Sequence, residues 1–194
     1  MRLYCATTNP GKLREFRLTL ADSFDVEPLP GLGSLPPCEE TGATFEENAI
    51  QKALYYSQYC DGLLFVDDSG LEVDALGGEP GVYSARYAGP GASDDANNRL
   101  LLNRMRGVPE RVARFVSVVA LGESGRLVAT FRGEVEGLVT EDARGANGFG
   151  YDPLFYYPPF DSTFGEAPLA RKMEVSHRSK ALLSMREYVL RLKR

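Results

Sequence analysis

The sequence lacks the features that define several specialised classes of protein. It has no apolar stretch of the roughly 18 residues that a membrane span needs, so we expect no contact with a membrane. Its three cysteines, Cys5, Cys38 and Cys60, are far apart and form no CxxC or Cys/His pattern, which argues against a disulfide framework and a zinc site. We also find no internal repeat and no signal-peptide pattern, and we expect a cytoplasmic protein.

An excess of positive charge is also missing. The chain has 27 acidic and 22 basic residues, a formal net charge of -5 at pH 7. A nucleic-acid-binding face would be basic, so we expect no nucleic-acid partner. Because an acidic protein repels a polyphosphate, any phosphate site must be a local cluster of cations or a metal. The length of 194 residues and the hydrophobic content of 43% are sufficient for one domain, residues 1–194, with a sizeable core.

What the chain does contain is an alternation of short apolar runs and helical patterns. The apolar runs predict strands over residues 2–7, 24–27, 63–66, 71–76, 114–121 and 126–139, with the last two joined as a hairpin. Helical spacing and capping residues predict helices over residues 10–22, 44–60, 93–105 and 178–192. This alternation predicts an α/β fold, and the hairpin makes its sheet mixed.

The first motif with chemical potential is the turn between the first strand and the first helix. It consists of Thr7, Thr8, Asn9, Pro10, Gly11 and Lys12. Such a turn offers backbone N–H groups, hydroxyls and an ammonium group to phosphate oxygens. It is not a P-loop, because the first glycine of GxxxxGK[ST] is missing and Leu13 replaces the Ser or Thr. The same residues also suit a simpler role, since Asn9 is a good N-cap and Pro10 suits the first helical position.

The second motif is the run Asp67-Asp68-Ser69-Gly70, which follows a predicted buried strand. Open α/β sheets bind ligands at the carboxyl ends of their strands, and two adjacent carboxylates there repel unless a cation compensates. Mg²⁺ prefers one or two carboxylates together with phosphate oxygens and water, a set that this run can complete with Glu40. Asp, Ser and Gly are also common turn residues, so a strand-ending turn is an equal alternative.

Two further motifs are aromatic and basic. In the segment GFGYDP, Phe149 is flanked by glycines and can stack on a nucleobase, although core packing is the commoner use of Phe and Tyr. Near the start of the last helix, Lys172 is followed by Ser176, His177 and Arg178. His177 and Arg178 can donate hydrogen bonds from a rigid element, and the alternative is a lone surface histidine beside a solvated arginine.

Together and in this order, the motifs resemble the inosine triphosphate pyrophosphatase family. The segments that carry the resemblance cover nearly the whole chain, and they are ATTNPGK, EETGATFEENAIQKA, DDSGLEVDALGGEPGVYSARY, GFGYDPLF and KMEVSHRSKAL. The combination of DDSGL, PGVYSAR, GFGYDP and SHR is highly specific. The family hydrolyses inosine, xanthosine and related purine triphosphates, including deoxy forms, to the monophosphate and pyrophosphate.

The resemblance implies an elongated α/β fold of two lobes around a mixed sheet with flanking helices, a central nucleotide-binding cleft and usually a homodimer. It implies that Asp68 is the catalytic acid-base residue and that Asp68 and Glu40 are ligands of Mg²⁺. Asp67 is the alternative group that could orient or deprotonate the attacking water. The implied triphosphate ligands are Thr7, Thr8, Asn9, Pro10, Gly11, Lys12 and Lys52, with Asn48 nearby. Ser69 is a further implied substrate contact. The implied contacts to the base are Phe149, Gly150, Tyr151 and Asp152. Lys172, His177 and Arg178 are also implied to contact the nucleotide, with His177 and Arg178 at the base edge.

Two rival functions remain compatible with the sequence. A pyrophosphatase of the same fold that acts on modified pyrimidine triphosphates would use the same phosphate and metal residues. A nucleotide-binding regulator without turnover is the rival from another class, but binding alone does not require two metal-site acids and two lysines. Thr8 and Asn147 stand where the family often has glycine, and we expect this difference to change local geometry rather than activity.

Overall fold

The computed structural model describes residues 1–192, which contain seven strands and five α-helices. The strands are β1 (Arg2–Cys5), β2 (Asp25–Pro28), β3 (Leu63–Val73), β4 (Val112–Glu123), β5 (Arg126–Val139), β6 (Phe155–Tyr157) and β7 (Ser162–Thr163). The helices are α1 (Pro10–Leu20), α2 (Phe45–Tyr56), α3 (Asp94–Arg104), α4 (Leu169–Met173) and α5 (His177–Leu192). Within the described range, none of these helices combines the length and apolar character needed to cross a membrane.

The strands form one mixed sheet in the order β2-β1-β3-β4-β5-β6-β7. β1 pairs in parallel with both β2 and β3, whereas β6 pairs antiparallel with both β5 and β7. The predicted α/β fold with a mixed sheet is therefore confirmed. The predicted hairpin is also present, because β4 and β5 are neighbours joined by Ser124 and Gly125. Both turn residues have positive φ, 49° and 75°, as a two-residue hairpin turn requires.

The chain divides into two compact units, each with its own core. Unit 1 comprises residues 1–68, 117–133 and the chain from residue 177 onward, and unit 2 comprises residues 69–116 and 134–176. In unit 1, α1 packs on α5, and the rings of Phe16 and Phe65 meet edge to face with centroids 5.0 Å apart. In unit 2, the rings of Phe115, Phe155 and Phe164 form the centre of the core. Each unit thus buries its own set of apolar side chains.

The helix starts follow the predicted capping chemistry. At α1, the Asn9 side-chain oxygen accepts hydrogen bonds from the backbone N–H groups of Gly11 and Lys12, at 2.8 and 3.1 Å. At α2, Thr44 and Glu47 form a complete capping box. These bonds satisfy N–H groups that have no partner inside a helix, which explains why the two helices begin at these residues.

The predicted break between two strands at residues 67–70 is wrong, because β3 is continuous from Leu63 to Val73. The prediction took the glycine for a turn residue, but Gly70 is needed for close packing. A Cβ atom on Gly70 would lie 2.2 Å from Ser84 Oγ and 2.6 Å from the Gly81 carbonyl oxygen. The Ser84 hydroxyl donates to that carbonyl at 2.6 Å and accepts from the Leu71 N–H at 2.9 Å. This packing links the DDSGL and PGVYSAR motifs.

Smaller differences concern the lengths of elements. α2 ends at Tyr56 and continues as a 3-10 turn, so the predicted extension to Cys60 is wrong. The predicted loop around residues 145–159 contains the short strand β6, and the five-residue helix α4 was not predicted. Both elements are too short to give a periodic apolar pattern.

We expect Gly70→Ala to lower the free energy of unfolding by about 1–3 kcal/mol, because the added methyl group clashes with Ser84 and Gly81. Gly33→Ala is the control, since a Cβ atom at Gly33 meets no atom within 4 Å. Urea denaturation of both variants measures the difference. Equal stabilities of the two variants would show that the close approach at Gly70 is unimportant.

Candidate functional site

The structure brings five predicted or neighbouring site residues together in unit 1, and we call this group the charged cluster: Lys12, Glu40, Lys52, Asp67 and Asp68. The Lys12 ammonium lies 2.7 Å from the Asp67 carboxylate. The Lys52 ammonium lies 2.5 Å from the Asp68 carboxylate and 3.4 Å from that of Glu40. Both ammonium groups also donate to the Asp67 carbonyl oxygen, at 3.3 and 3.4 Å, so the two lysine heads converge on one point.

The strand register explains why the cluster forms. β1 and β3 are parallel, with Cys5 opposite Phe65. α1 begins at Pro10, shortly after β1 ends, and the two acids follow Phe65 along β3. The first turn of α1 and the two acids therefore lie at the same end of the paired strands. The sequence prediction that Lys12 and Asp68 share a neighbourhood is confirmed.

Asp67 is the buried centre of the cluster, with a fully inaccessible side chain. Its carboxylate contacts the Lys12 ammonium, the Arg178 guanidinium at 3.4 Å and the Ser117 hydroxyl, which donates a short hydrogen bond. Burial alone would raise the pKa of Asp67, but Arg178 and Lys12 outweigh burial and hold its pKa well below its usual range. Asp67 is therefore ionised near neutral pH and pairs with the cations around it.

Asp68 differs from its neighbour in its environment. Burial raises the pKa of the Asp68 carboxyl group above its ordinary value, and the opposing effect of Lys52 is smaller. For Lys52, burial would lower the pKa, but Asp68 and Glu40 together outweigh it and raise the pKa. One ammonium thus serves two carboxylates, which leaves Asp68 incompletely compensated. A carboxylate with a raised pKa is a stronger base than a free aspartate.

The residues present fit a divalent cation of the magnesium type. The carboxylates of Asp68 and Glu40 approach the same nitrogen, that of Lys52, so they are directed to a common location. In residues 1–192, no group of three or more His, Cys, Asp or Glu side chains has the arrangement of a complete metal site. A donor set of two carboxylates completed by phosphate oxygens and water is the one that Mg²⁺ prefers.

The turn before α1 has the helix-capping role that was considered from the sequence. The Asn9 side chain caps the helix, and the Thr7 hydroxyl accepts from the Asn9 N–H at 3.2 Å. Thr8 and Pro10 are exposed, and Gly11 is buried. Capping therefore accounts for Asn9, while Lys12 is directed to the acids of β3 rather than to solvent.

Two residues of unit 1 that the sequence prediction missed complete the buried network. Glu15 accepts a hydrogen bond from the Arg178 guanidinium, and both side chains are almost fully buried. Ser117, on β4, donates to Asp67. Glu15 follows Lys12 by three residues on α1, so helical spacing places both on one face. His177 is the first residue of α5 and is also buried, and the predicted alternative of a solvated surface pair is wrong for His177 and Arg178.

In unit 2, the structure brings together the predicted residues Phe149, Asp152 and Lys172. The Lys172 ammonium lies 2.6 Å from the Asp152 carboxylate, and each side chain is 2% exposed. The same carboxylate accepts from the Phe149 N–H at 2.9 Å. The ammonium also lies 5.1 Å from the centroid of the Phe149 ring, within the range of a cation–π interaction. The Phe149 backbone and ring are therefore both held in place.

The neighbouring residues of this loop are also fixed. Tyr151 is a core residue whose hydroxyl donates to the Ser84 carbonyl at 2.8 Å, and burial raises the pKa of the Tyr151 hydroxyl. The Gly150 N–H donates to the Asp94 carboxylate at 2.6 Å, and the Asn98 amide donates to the Gly150 carbonyl at 3.0 Å. Asp94 and Asn98, four residues apart on α3, were not predicted as site residues. Ser69 is half-buried on β3.

Asn147, where the family resemblance leads one to expect glycine, anchors the same loop. Its side-chain amide donates to the carbonyls of Glu166 and Ala167, at 3.4 and 3.2 Å. Its backbone N–H donates to the Gly165 carbonyl at 2.8 Å. The asparagine therefore adds hydrogen bonds in the residues before Phe149.

This α/β fold, with two lysines and two adjacent aspartates meeting at the first helix, defines a protein with a candidate site for a metal-bound polyphosphate. The chain belongs to the Ham1 family, whose model matches residues 3–188.

Individual relatives agree with this assignment. The chain is 46% identical over 191 residues to the dITP/XTP pyrophosphatase of Exiguobacterium sp. strain AT1b, covering 98% of this chain and 97% of the relative. Among solved structures, the Ham1 protein of Staphylococcus aureus matches with a TM-score of 0.86 at 39% identity, covering 97% of this chain and 98% of its own. A HAM1 protein from Coxiella burnetii matches with a TM-score of 0.87 at 36% identity, covering 98% and 99%. The resemblance stated from the sequence is confirmed.

We expect Asp67→Asn to lower the free energy of unfolding by about 3–5 kcal/mol at pH 7, because it leaves buried cations without their anion. Since folding depresses the pKa of Asp67, its stabilisation is present above the unfolded pKa of about 3.9 and is lost as the pH falls through the folded value. Chemical denaturation at pH 7 measures the effect.

Asp22→Asn is the control for this prediction, because Asp22 is exposed. Its stability should differ from wild type by no more than about 0.5 kcal/mol. A similarly small effect of Asp67→Asn would contradict the central role given to this carboxylate.

Proposed function

We propose that the protein hydrolyses non-standard purine nucleoside triphosphates, such as those of inosine, deoxyinosine and xanthosine, to the monophosphate and pyrophosphate. The relatives named as dITP/XTP pyrophosphatases align over nearly the full length of both chains, which supports this activity. Removal of such nucleotides would keep the nucleotide pool free of bases that mispair.

The observation that carries the proposal is the convergence of Lys12 and Lys52 on the Asp67 carbonyl, beside the carboxylate of Asp68. The chain has a net charge of -5, so a triphosphate needs such a local concentration of cations to bind. Two ammonium groups next to a desolvated carboxylate combine an anion-binding element with a base. This combination suits phosphoanhydride hydrolysis.

The two adjacent aspartates have different roles in this mechanism. Asp67 has a depressed pKa and is engaged by Lys12 and Arg178, so it orients cations and cannot act as a base near neutral pH. Asp68 has a raised pKa. We assign to Asp68 the role of accepting the proton of the water that attacks the α-phosphorus. The pyrophosphate group then leaves with its negative charge facing Lys12 and Lys52.

Mg²⁺ is the proposed cofactor, held by Asp68 and Glu40. When bound, it supplies Lewis-acid activation of phosphate oxygens and of water, and it neutralises charge on the leaving group. The chain's own contribution is to keep Lys52 between the two carboxylates, so that they stay close despite their mutual repulsion. We further propose that the turn Thr7, Thr8, Asn9, Pro10, Gly11 and Lys12 binds the triphosphate.

Base recognition is proposed from the family resemblance and from chemistry. Inosine and xanthosine present a 6-keto acceptor where adenosine presents a 6-amino donor, so hydrogen-bond donors at the base edge favour the former. The family resemblance gives this role to His177 and Arg178, and the Arg178 guanidinium also pairs with Asp67 and Glu15. Phe149, Gly150, Tyr151 and Asp152 remain the predicted contacts to the base. Ser69 and Lys172 remain predicted contacts to the nucleotide. The fixed position of the Phe149 ring, held by Asp152 and Lys172, supports a role in stacking on a flat base.

A homodimer and a cytoplasmic location also remain proposals. The resemblance supports the first, and the composition supports the second. Light scattering of the purified chain at several concentrations tests the oligomeric state.

The activity is tested with a panel of nucleoside triphosphates, measuring pyrophosphate release with and without magnesium. We expect inosine and xanthosine triphosphates to be hydrolysed about ten- to a hundredfold more efficiently than adenosine triphosphate, because an unpaired polar group in the site costs about 1–3 kcal/mol. Preference for a modified pyrimidine triphosphate would replace the proposal with its rival. Binding without release of pyrophosphate would indicate a regulator.

We expect Asp68→Asn to lower kcat by about a hundredfold or more while the protein stays folded, because the amide cannot accept the proton. Asp61→Asn is the matched control, since Asp61 is exposed and lies outside the charged cluster. Circular dichroism of both variants verifies folding. Near-normal hydrolysis by Asp68→Asn would reject its role as the base.

A further inference from the structure

A segment of unit 1, residues 40–44, is bonded residue by residue to helix α2. The N–H groups of Thr44 and Ala43 donate to Glu47, at 3.1 and 2.7 Å. The N–H of Gly42 donates to the Asn48 side-chain oxygen at 2.8 Å. We call residues 40–44 the latch segment.

The pattern continues toward the charged cluster. The Thr41 N–H donates to the Gln51 side-chain oxygen at 3.1 Å, and the Gln51 amide donates back to the Thr41 hydroxyl at 3.1 Å. The carboxylate of Glu40 then lies 3.4 Å from the Lys52 ammonium. As the segment runs backward from residue 44 to residue 40, its partners advance along one face of α2, from residue 47 to residue 52. The latch segment therefore lies antiparallel to the helix.

Gly42 is what permits this close approach. A Cβ atom at Gly42 would lie 2.6 Å from the Glu47 Cβ and 2.8 Å from the Asn48 side-chain oxygen. Asn48 is fully buried, and its side-chain nitrogen has no hydrogen-bond partner among the described residues. The hydrogen bond from the Gly42 N–H is thus the one that the Asn48 side chain makes to the latch segment. Loss of this hydrogen bond would leave both polar atoms of the buried Asn48 amide without a partner, which is costly. The bond therefore restrains the position of the segment.

We propose that Gly42, Asn48 and Gln51 are positioning residues that fix the latch segment and thereby set the Glu40 carboxylate beside Asp68 for a divalent cation. The proposal rests on the proposed function for its cation, but its geometry belongs to unit 1 alone. Glu40 is on a segment without helix or strand structure, and its side chain is 31% exposed to solvent. Without the latch, its carboxylate would be free to leave the cluster, because like-charged Asp68 repels it.

The latch itself is tested by hydrogen exchange, which does not depend on activity. In Gln51→Ala, we expect the Thr41 amide to exchange about five- to tenfold faster, because it loses its acceptor. Gly42→Ala should accelerate exchange across residues 41–43. The controls are Gln58→Ala, a change on an exposed glutamine, and Gly33→Ala, where a Cβ atom meets nothing within 4 Å.

The consequence for the cation is tested in two ways on the same variants. Electron paramagnetic resonance with Mn²⁺ alone measures binding to the protein without nucleotide. The magnesium concentration for half-maximal hydrolysis of inosine triphosphate measures it during turnover. For Gln51→Ala and Gly42→Ala, we expect Mn²⁺ affinity to fall and the magnesium requirement to rise, each by about tenfold. The maximal rate at saturating magnesium should stay near that of wild type.

Faster exchange together with a weakened cation site would support the proposal. Unchanged exchange of the Thr41 amide in Gln51→Ala would show that Gln51 does not hold the latch segment. Faster exchange with unchanged Mn²⁺ affinity would show that the latch segment does not position Glu40 for the cation. Absence of Mn²⁺ binding by the wild-type protein would overturn it as well. Failure of the proposed function is distinguishable, because it would appear as absent hydrolysis by wild type while exchange and Mn²⁺ binding still report on the latch. Should Gly42→Ala fail to fold, the half-buried Gln51 still gives a testable variant.

Discussion

The buried carboxylate of Asp67 is the interaction on which the rest of unit 1 depends. It lies on β3 and contacts side chains from α1, β4 and α5, namely Lys12, Ser117 and Arg178. A buried charge is tolerated only when it is paired and hydrogen-bonded, and here each partner comes from a different element. The arrangement of these elements is therefore specified by one anion. A second acid, Glu15, balances the guanidinium of Arg178 on its other side.

The adjacent residues Asp67 and Asp68 have the same side chain but different roles in this arrangement. Asp67 is ionised and buried, while Asp68 next to it has a raised pKa and contacts the ammonium group of Lys52, which also pairs with Glu40. Adjacent residues of a strand point to opposite faces, so their environments can differ completely. The chain obtains a structural anion and a candidate base from one dipeptide, because the strand turns them in opposite directions.

Much of this could be predicted from the sequence, and the reasons are specific. The capped starts of α1 and α2 were evident because Asn9, Pro10, Thr44 and Glu47 have strong positional preferences. The α/β fold followed from the alternation of apolar and helical patterns. The proximity of Lys12 and Asp68 required the additional knowledge that β1 and β3 pair in parallel, for which the family resemblance was the guide.

Sequence patterns could not predict the tertiary contacts. Gly70 lies in a sequence typical of a turn, but in the structure it allows Ser84 and Gly81 to pack closely against β3. Only the folded chain brings these residues together. Nothing in the local sequence distinguishes Ser117 from other strand residues or Glu15 from other helix residues. Their roles follow from their contacts with Asp67 and Arg178, respectively. The contacts of Asp94 and Asn98 with Gly150 join positions more than fifty residues apart. Local propensity carries no information about such pairs.

Helix α2 belongs to both the charged cluster and the latch segment, since Lys52 ends the series of side chains that begins with Glu47. Its first turn is held by a capping box formed with Thr44, a residue of the same segment. Helix ends fray more readily than helix centres. Fraying of this end would release Gly42, Ala43 and Thr44 from their bonds to Asn48 and Glu47, and so loosen the segment that carries Glu40, before the core of unit 1 opens. Heat inactivation is thus expected to begin at this helix end, at temperatures where the rest of the molecule is still folded.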